Sequence, residues 1–408
     1  RLLLQMLDRM LFRMDPEGAL QAGSYWIELY PQDLMARQLL AQAHAMQGDI
    51  EGMIVQFRAL LAMDSTNVQA IQSIAAGFRG QRQYDSALVY YDRLSELQPS
   101  DVQTRLDIAA THTSLLEFDE ARAELERARG VAPDDPNVYS QLARLDMRVG
   151  RYDDAAARIE EMSDLARTPQ HRNVVQGVRE SYYYDRGQYG PLRAAYLDRV
   201  AAISEFSVPI QGVQQVLNSE VLLYAADWGQ EAFALQQLDS LRATVSEPWS
   251  YTVEVPAVWV HLDREDVESA RESLAGLVAL NEAFGEAPGR VARHRWVEGR
   301  IAWIEDGDCE RALESFREAQ ELSQGNLTYL AWSAACLTEL ERYEEAEADV
   351  ALLVKRLPAS PKVRVVAARL YAGQGRTQDA VAALEVALAV WAEADSDFRP
   401  AAEARALL

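Results

Sequence analysis

Lysine is almost missing from this chain. Only Lys355 and Lys362 interrupt a basic complement otherwise made of arginine. With 40 basic against 63 acidic side chains, the formal net charge is −23. A surface this acidic fits poorly to a phosphate backbone or an anionic lipid layer, so neither nucleic acid nor a membrane surface is an expected partner. A salt-adapted surface or an arginine-rich coding bias explains the balance more simply than a function does. Cysteine is as scarce. Cys309 and Cys336 are too few for a disulfide framework, although the repeat described below makes them neighbours, as two packed thiols or, in an oxidising compartment, a disulfide.

Long apolar runs are absent too. No stretch of about 18 apolar residues exists, so no membrane-spanning helix is expected. The start, Arg1 to Phe12, is apolar but broken by Asp8 and Arg9, unlike a secretory leader. The first residue is Arg and not Met, so an earlier start is expected, behind a removed signal or an upstream domain. A soluble protein of cytoplasm or periplasm follows. No Gly/Ser-rich linker separates one part from another.

Catalytic signatures are missing as well. No glycine-rich loop runs into a lysine, which speaks against phosphate cradling, and no serine sits between glycines in a nucleophile elbow. His171 and His294 have no cysteine or second histidine at ligand spacing. Carboxylates are so common, as in Glu344-Glu345-Ala346-Glu347, that any pair of them reads as solvated helix surface. The expectation is a chain without catalytic site, metal or cofactor.

What is present is a period. Ala87, Ala121 and Ala155 stand 34 apart, each preceded by an aromatic at Tyr84, Phe118 and Tyr152. Pro31, Pro99 and Pro133 keep the phase, and the rhythm returns at Ala312, Ala346 and Ala380 with Gly307 and Gly375 ahead of the first and last. In one unit, 68–101, Ile71, Ile74, Ala75 and Phe78 lie on one face of a first helix. Gly80 lies in the stretch that ends it. A second helix carries Ala87, Leu88, Tyr91, Leu94 and Leu97 up to Pro99, and Asp101 is placed to cap the next helix. Small residues at Ala41, Ala75, Ala109 and Ala143, facing Ala87, Ala121 and Ala155, let two backbones approach. The aromatics at Tyr84, Phe118, Tyr152 and Tyr343 fill the turn. A 34-residue period of paired helices marks a helical solenoid.

These residues resemble the tetratricopeptide repeat of bacterial-type proteins. The unit 34–67 reads Leu40-Ala41, Gly48-Asp49 and Phe57; the unit 293–326 reads Trp296, Gly307-Asp308, Arg311-Ala312-Leu313, Phe316 and Ala319. Departures are Met53 at an alanine slot and Gly299 where a large residue is usual. His44, His112 and His261 fall where the family usually has tyrosine, which makes them packing residues. The resemblance implies an all-α, right-handed α-solenoid of about eleven hairpins. An N-terminal array covers 1–172, irregular longer hairpins 173–292, a second regular array 293–394 and a capping helix 395–408. In the middle, Pro191, Pro209, Pro248 and Pro256 interrupt helices. In the cap, Asp397 is the N-cap and Leu407-Leu408 cover an open apolar end.

The family's first helices line a concave face, and the side chains turned outward there are Gln38, Gln42, Gln72, Arg79, Gln141, Arg144 and Arg148. Amides suit the backbone of an extended peptide and guanidiniums grip carboxylates. The Lys and Asn set with which some relatives clamp chaperone tails is replaced by Gln38, Gln42, Ser73 and Asp107. The reading is a non-catalytic scaffold for a protein or peptide partner. The alternatives are the regulatory part of a larger enzyme, such as a Ser/Thr kinase or cyclase, and a small-molecule binder using Tyr183, Tyr224, Trp228 and Trp259 of the aromatic middle.

Overall fold

The structure, a computed structural model, describes residues 2–13, 15–205, 226–243, 251–284 and 287–408. Among these no strand occurs, and helices follow one another in antiparallel pairs. The chain groups into two compact units, Arg1–Gln141 and Leu142–Leu408.

The first unit opens with α1 (Leu2–Leu7), a π-helical turn over Asp8–Phe12 and α2 (Pro16–Leu29). Regular pairs follow: α3 (Leu34–Met46) with α4 (Ile50–Met63), α5 (Val68–Gly80) with α6 (Tyr84–Leu97), and α7 (Val102–Leu115) with α8 (Phe118–Val131). Each first helix starts at an acid or amide in strict phase. Asp33 accepts from the amides of Met35 and Ala36, Asn67 from Ala70, Asp101 from Thr104, and Asp135 from Asn137. Those bonds satisfy amides that a helix start leaves without a partner.

The expected small-residue slots are buried: Ala41, Ala75, Ala87, Ala121, Ala143 and Ala155 expose nothing, and Ala109 only 2 %. Met53 departs from the slot, and the fold makes room for it at Gly77, where an added Cβ would lie 2.8 Å from the Met53 methyl. Gly299 answers its own puzzle the same way. Its missing side chain admits the Phe316 ring, which a Cβ would meet at 2.6 Å. The aromatics at the turn are a partial correction. Tyr152 is buried, but Tyr84, Phe118 and Tyr343 are only half-buried. The deep positions of the second helices are Phe57, Tyr91, Leu125 and Ile159, again 34 apart, and later Phe316, Val350 and Leu384.

Between the two helices of a pair the backbone turns through a left-handed residue, and this too recurs. Gly48, Arg82, Leu116 and Gly150 all have positive φ, as do Gly187, Glu265, Gly307, Glu341 and Gly375. Glycine adopts that conformation freely, whereas a Cβ makes it costly.

The helix α9 (Pro136–Arg148) carries the chain from residue 141 to 142. The second unit continues with α10 (Tyr152–Leu165), α11 (Pro169–Asp185) and α12 (Tyr189–Ser204), then α13 (Glu231–Arg242), α14 (Tyr251–Asp263), α15 (Val267–Phe284) and α16 (Pro288–Asp306). It ends with α17 (Cys309–Leu322), α18 (Leu327–Glu339), α19 (Tyr343–Arg356), α20 (Pro361–Gly373), α21 (Thr377–Val390) and α22 (Arg399–Leu407). The longer helices fall where the period loosens: α11 has 17 residues, α15 has 18 and α16 has 19, against 13 or 14 in the regular pairs. Two of the prolines do not interrupt helices as the sequence suggests. Pro191 lies in the first turn of α12, where its missing N–H has no helical acceptor to lose, and α14 runs through Pro256. Pro209 and Pro248 lie outside the described residues.

The end of the second unit does more than cap. Phe398, not Asp397, is the N-cap of α22, whose Ala401 and Ala404 are fully buried while Leu407 and Leu408 are exposed. The preceding segment returns to the unit's early hairpins. The Asp395 amide donates to the Gly187 carbonyl at 2.9 Å. The Asp395 carboxylate accepts from the Tyr189 amide at 2.7 Å and from the Trp228 indole at 3.1 Å. The Trp391 indole donates to the Asp185 carbonyl at 2.9 Å, and Phe398 packs against Trp228 with ring centres 4.7 Å apart. Here, hairpins do not touch only their neighbours in sequence.

Two substitutions test this frame. Ala121→Leu forces a branched side chain into a slot with no exposure and is expected to cost about 1–3 kcal/mol. Gly375→Ala adds a methyl that would touch nothing within 4 Å, so its expected loss of about 1 kcal/mol comes from backbone conformation alone. Urea-unfolding midpoints measure both, and an unchanged midpoint for either contradicts the account of that position.

Candidate functional site

One concavity in the second unit stands apart from the packed seams between helices. It has a volume of about 520 Å³ and is lined from three helices. From α9 comes Arg144. From α11 come Asn173, Val174, Gly177, Glu180, Ser181, Tyr184 and Asp185, a stripe spaced like one helix face. From α12 come Leu192, Tyr196 and Arg199, spaced i, i+4, i+7. Helical periodicity therefore puts a face of α11, a first helix of its pair, toward open space and not toward core.

Its polar groups are of two kinds. Arg199 is held in place, donating to Glu180 at 2.6 Å and to Asn173 at 3.3 Å. Arg144 is exposed into the cavity and has no ion pair or hydrogen bond among the described residues. Burial of its surroundings lowers its pKa from the usual value, and the positive charge of Arg199 adds to that. Gly177 forms part of the wall; a Cβ built there would meet nothing within 4 Å. A glycine in a helix interior costs about 1 kcal/mol against alanine, and no close packing requires it here.

The carboxyl of Asp185 lies deep in the wall. Burial pushes its pKa up to about 6, opposed by the Tyr152 hydroxyl that donates to it at 3.4 Å and by the charge of Lys362. Lys362, at the start of α20, donates to Asp227 at 2.8 Å and to the Tyr184 hydroxyl, and its ammonium lies 4.9 Å from the Tyr184 ring centre.

The residues expected to bind a partner are dispersed. Gln38 donates to Gln69 at 2.8 Å, and Arg79 pairs with Asp107 at 2.6 Å, so both are engaged by neighbouring first helices. Gln42 is half-buried, and Gln72 and Gln141 are exposed, all three within the first unit. Arg144 lines the cavity, and Arg148 stands one helical turn beyond it. The four aromatics do not share that cavity. Tyr183 packs edge-on against Tyr182, Trp228 is buried under the returning chain end, and Trp259 stacks on Trp296 at 4.0 Å. Tyr224 lies outside the described residues. Beside that stack, burial opposes the charges of both Arg300 and Asp263, which pair at 3.7 Å, and the Arg300 guanidinium covers the Trp332 ring at 3.9 Å.

One feature escaped the sequence reading. The histidines are not simply packed: His44 meets Asp49 at 2.8 Å and His112 meets Glu117 at 2.7 Å, tying a first helix to the start of its partner. The i, i+5 spacing of histidine and acid was the visible signal. Of the two readings of the cysteines, packed thiols or a disulfide, the structure has the first: both are buried and free. Cys309 donates to Glu339 at 2.9 Å, and burial pushes its pKa up to about 12, with Cys336 close enough to hydrogen-bond. Among the described residues, no group of three or more His, Cys, Asp or Glu side chains is placed to hold a metal ion. No helix among them is long and apolar enough to cross a membrane.

Paired antiparallel helices, a left-handed turn residue every 34 positions over 48–150 and again over 307–375, and alanine-lined seams define a helical-repeat protein of the tetratricopeptide class. Two tetratricopeptide-repeat family profiles match, one over 78–145 and 117–176, the other over 256–326 and 304–362, half of the chain between them. The chain belongs to the tetratricopeptide-repeat family, whose members serve as protein-interaction modules. Among solved structures, a tetratricopeptide repeat protein from Parabacteroides merdae ATCC 43184 is similar at 14% identity over 64% of this chain and 97% of its own, with a TM-score of 0.47. A crystal structure of MamA is similar at 16% identity over 39% of this chain and 91% of its own, TM-score 0.35. MamA 41-end from Desulfovibrio magneticus RS-1 is similar at 19% identity over 39% and 88%, TM-score 0.34. No curated protein matches.

Asp185 yields a pH prediction. Its folded pKa lies above its unfolded value of 3.8. Its contribution to stability is thus complete below that value and is lost as pH rises through about 6. Asp185→Asn removes the ionisation. Its stability relative to wild type is expected to be near zero around pH 3.5 and to reach about 2–3 kcal/mol in favour of the variant by pH 7.5. Urea unfolding at the two pH values measures it; a pH-independent difference contradicts the assignment.

Proposed function

We propose that this protein is a non-catalytic scaffold that binds an extended segment of a partner protein along its first helices. The observation that carries the reading is the face of α11. Asn173, Gly177, Glu180, Ser181 and Tyr184 line a concavity of about 520 Å³. A concavity of this size, with an apolar side at Val174, Leu192 and Tyr196 and convergent polar groups, has the make-up of a recognition site. Membership of a family of interaction modules points the same way.

A selection of random peptides on the full chain tests the proposal. Enriched peptides are expected to label from a photo-crosslinker at Asn173 and not from one at Glu161, an exposed position on the second helix α10. No enrichment, or equal labelling from both positions, overturns the proposal.

A further inference from the structure

Arg144, in the cavity lining beside the Arg199–Glu180 pair and Asp185, begins a line of positive charge. Arg144 and Arg148 are one turn apart on α9, about 6 Å along the helix axis. Arg148 is half-buried, and the ends of α9 and α19 meet: a Cβ built on Gly150 would lie 3.1 Å from that of Ala359, three residues past Arg356. Burial lowers the pKa of Arg148, and the charge of Arg356 adds to that. Among the described residues, Arg144, Arg148 and Arg356 have no ion pair or hydrogen bond. In a chain carrying 63 acidic side chains, most other arginines of this unit are paired: Arg172, Arg179, Arg186, Arg199, Arg242, Arg271, for example. Like charges brought together without counter-charge destabilise a fold, so the cluster calls for a negative occupant from outside.

We infer that Arg144, Arg148 and Arg356, with the cavity of α9, α11 and α12 at one end, form a binding site for an acidic peptide segment in extended conformation. Side chains on one side of an extended chain repeat every 6–7 Å, which matches the one-turn spacing of Arg144 and Arg148. An acid at alternate positions therefore meets successive guanidiniums. One carboxylate enters the cavity at Arg144, above Gly177, where the absent side chain leaves room. Arg199 is already neutralised by Glu180 and shapes the wall. The next carboxylate lies at Arg148 and Arg356, outside the cavity lining. A small acid held in the cavity alone would leave that second pair unused, and this favours a segment with several charges. The acidic remainder of the surface repels anions elsewhere, so the arginine line also serves specificity.

The inference rests on the scaffold reading, and its test separates the two. The probe is a fluorescein-labelled peptide alternating glutamate and alanine, with its glutamine counterpart as control, followed by fluorescence anisotropy on the full chain. The glutamate peptide is expected to bind and the glutamine peptide not. R144Q with R148Q is expected to weaken binding by roughly tenfold or more, since charge-assisted bonds are lost. Arg311→Gln, on the exposed start of α17, is expected to leave it unchanged. G177L is expected to abolish binding by filling the cavity while keeping the helical circular dichroism, leucine being the better helix former. Equal binding of the two peptides, or no effect of R144Q/R148Q and G177L, overturns the inference. If the glutamate peptide fails while peptides from the random selection bind at Asn173, the acidic assignment is wrong and the scaffold reading stands. If citrate alone binds with the same arginine dependence and no peptide does, both give way to a small-anion site.

Discussion

Close approach of two helix backbones at alanine is the constraint on which the rest of this molecule depends. Wherever Ala87, Ala121, Ala155 or Ala312 faces its partner, nothing larger fits unless a second residue shrinks. The Met53–Gly77 exchange shows the rule by compensation: volume added to one helix is removed from its neighbour. That contact fixes the hairpin, and the hairpin fixes the position of the left-handed turn residue. Arg82, Leu116, Glu265 and Glu341 accept an unfavourable backbone there because the packing on both sides leaves no other path.

Much of this was legible because it repeats. Ala slots, the Asp101 cap and the proximity of Cys309 and Cys336 follow from phase alone, since identical local geometry needs identical residue types. What escaped was whatever joins residues out of phase. Nothing in the period says that Asp395 reaches Tyr189 and Trp228, or that Trp228 and Trp259 belong to different stacks. Half-burial of Tyr84, Phe118 and Tyr343 was likewise invisible, because an aromatic at a turn looks the same whether covered or not. For the candidate site, Arg144 and Arg148 were readable as outward residues of a first helix. Arg199 and Arg356 were not, because they come from second helices and arrive through tertiary packing.

The charge distribution gives the site its meaning. An acidic protein built almost without lysine pairs many of its arginines internally, some along one helix and others between helices. Against that background, guanidiniums left over in one place are informative in a way that a single arginine on a basic surface would not be. The helix-interior Gly177 adds a steric counterpart, a gap kept open where stability alone favours a side chain.

The fastening of residues 391–399 onto residues 185–231 changes what kind of object the second unit is. A string of hairpins melts by fraying, one unit after another from a free end, and its stability is a running sum. Tied back through Asp395 and Trp391, this unit has no such loose end at its C-terminus. Opening there has to release two buried tryptophans and several long-range hydrogen bonds at once, so hairpins far apart in sequence share one unfolding event and exchange their amides together.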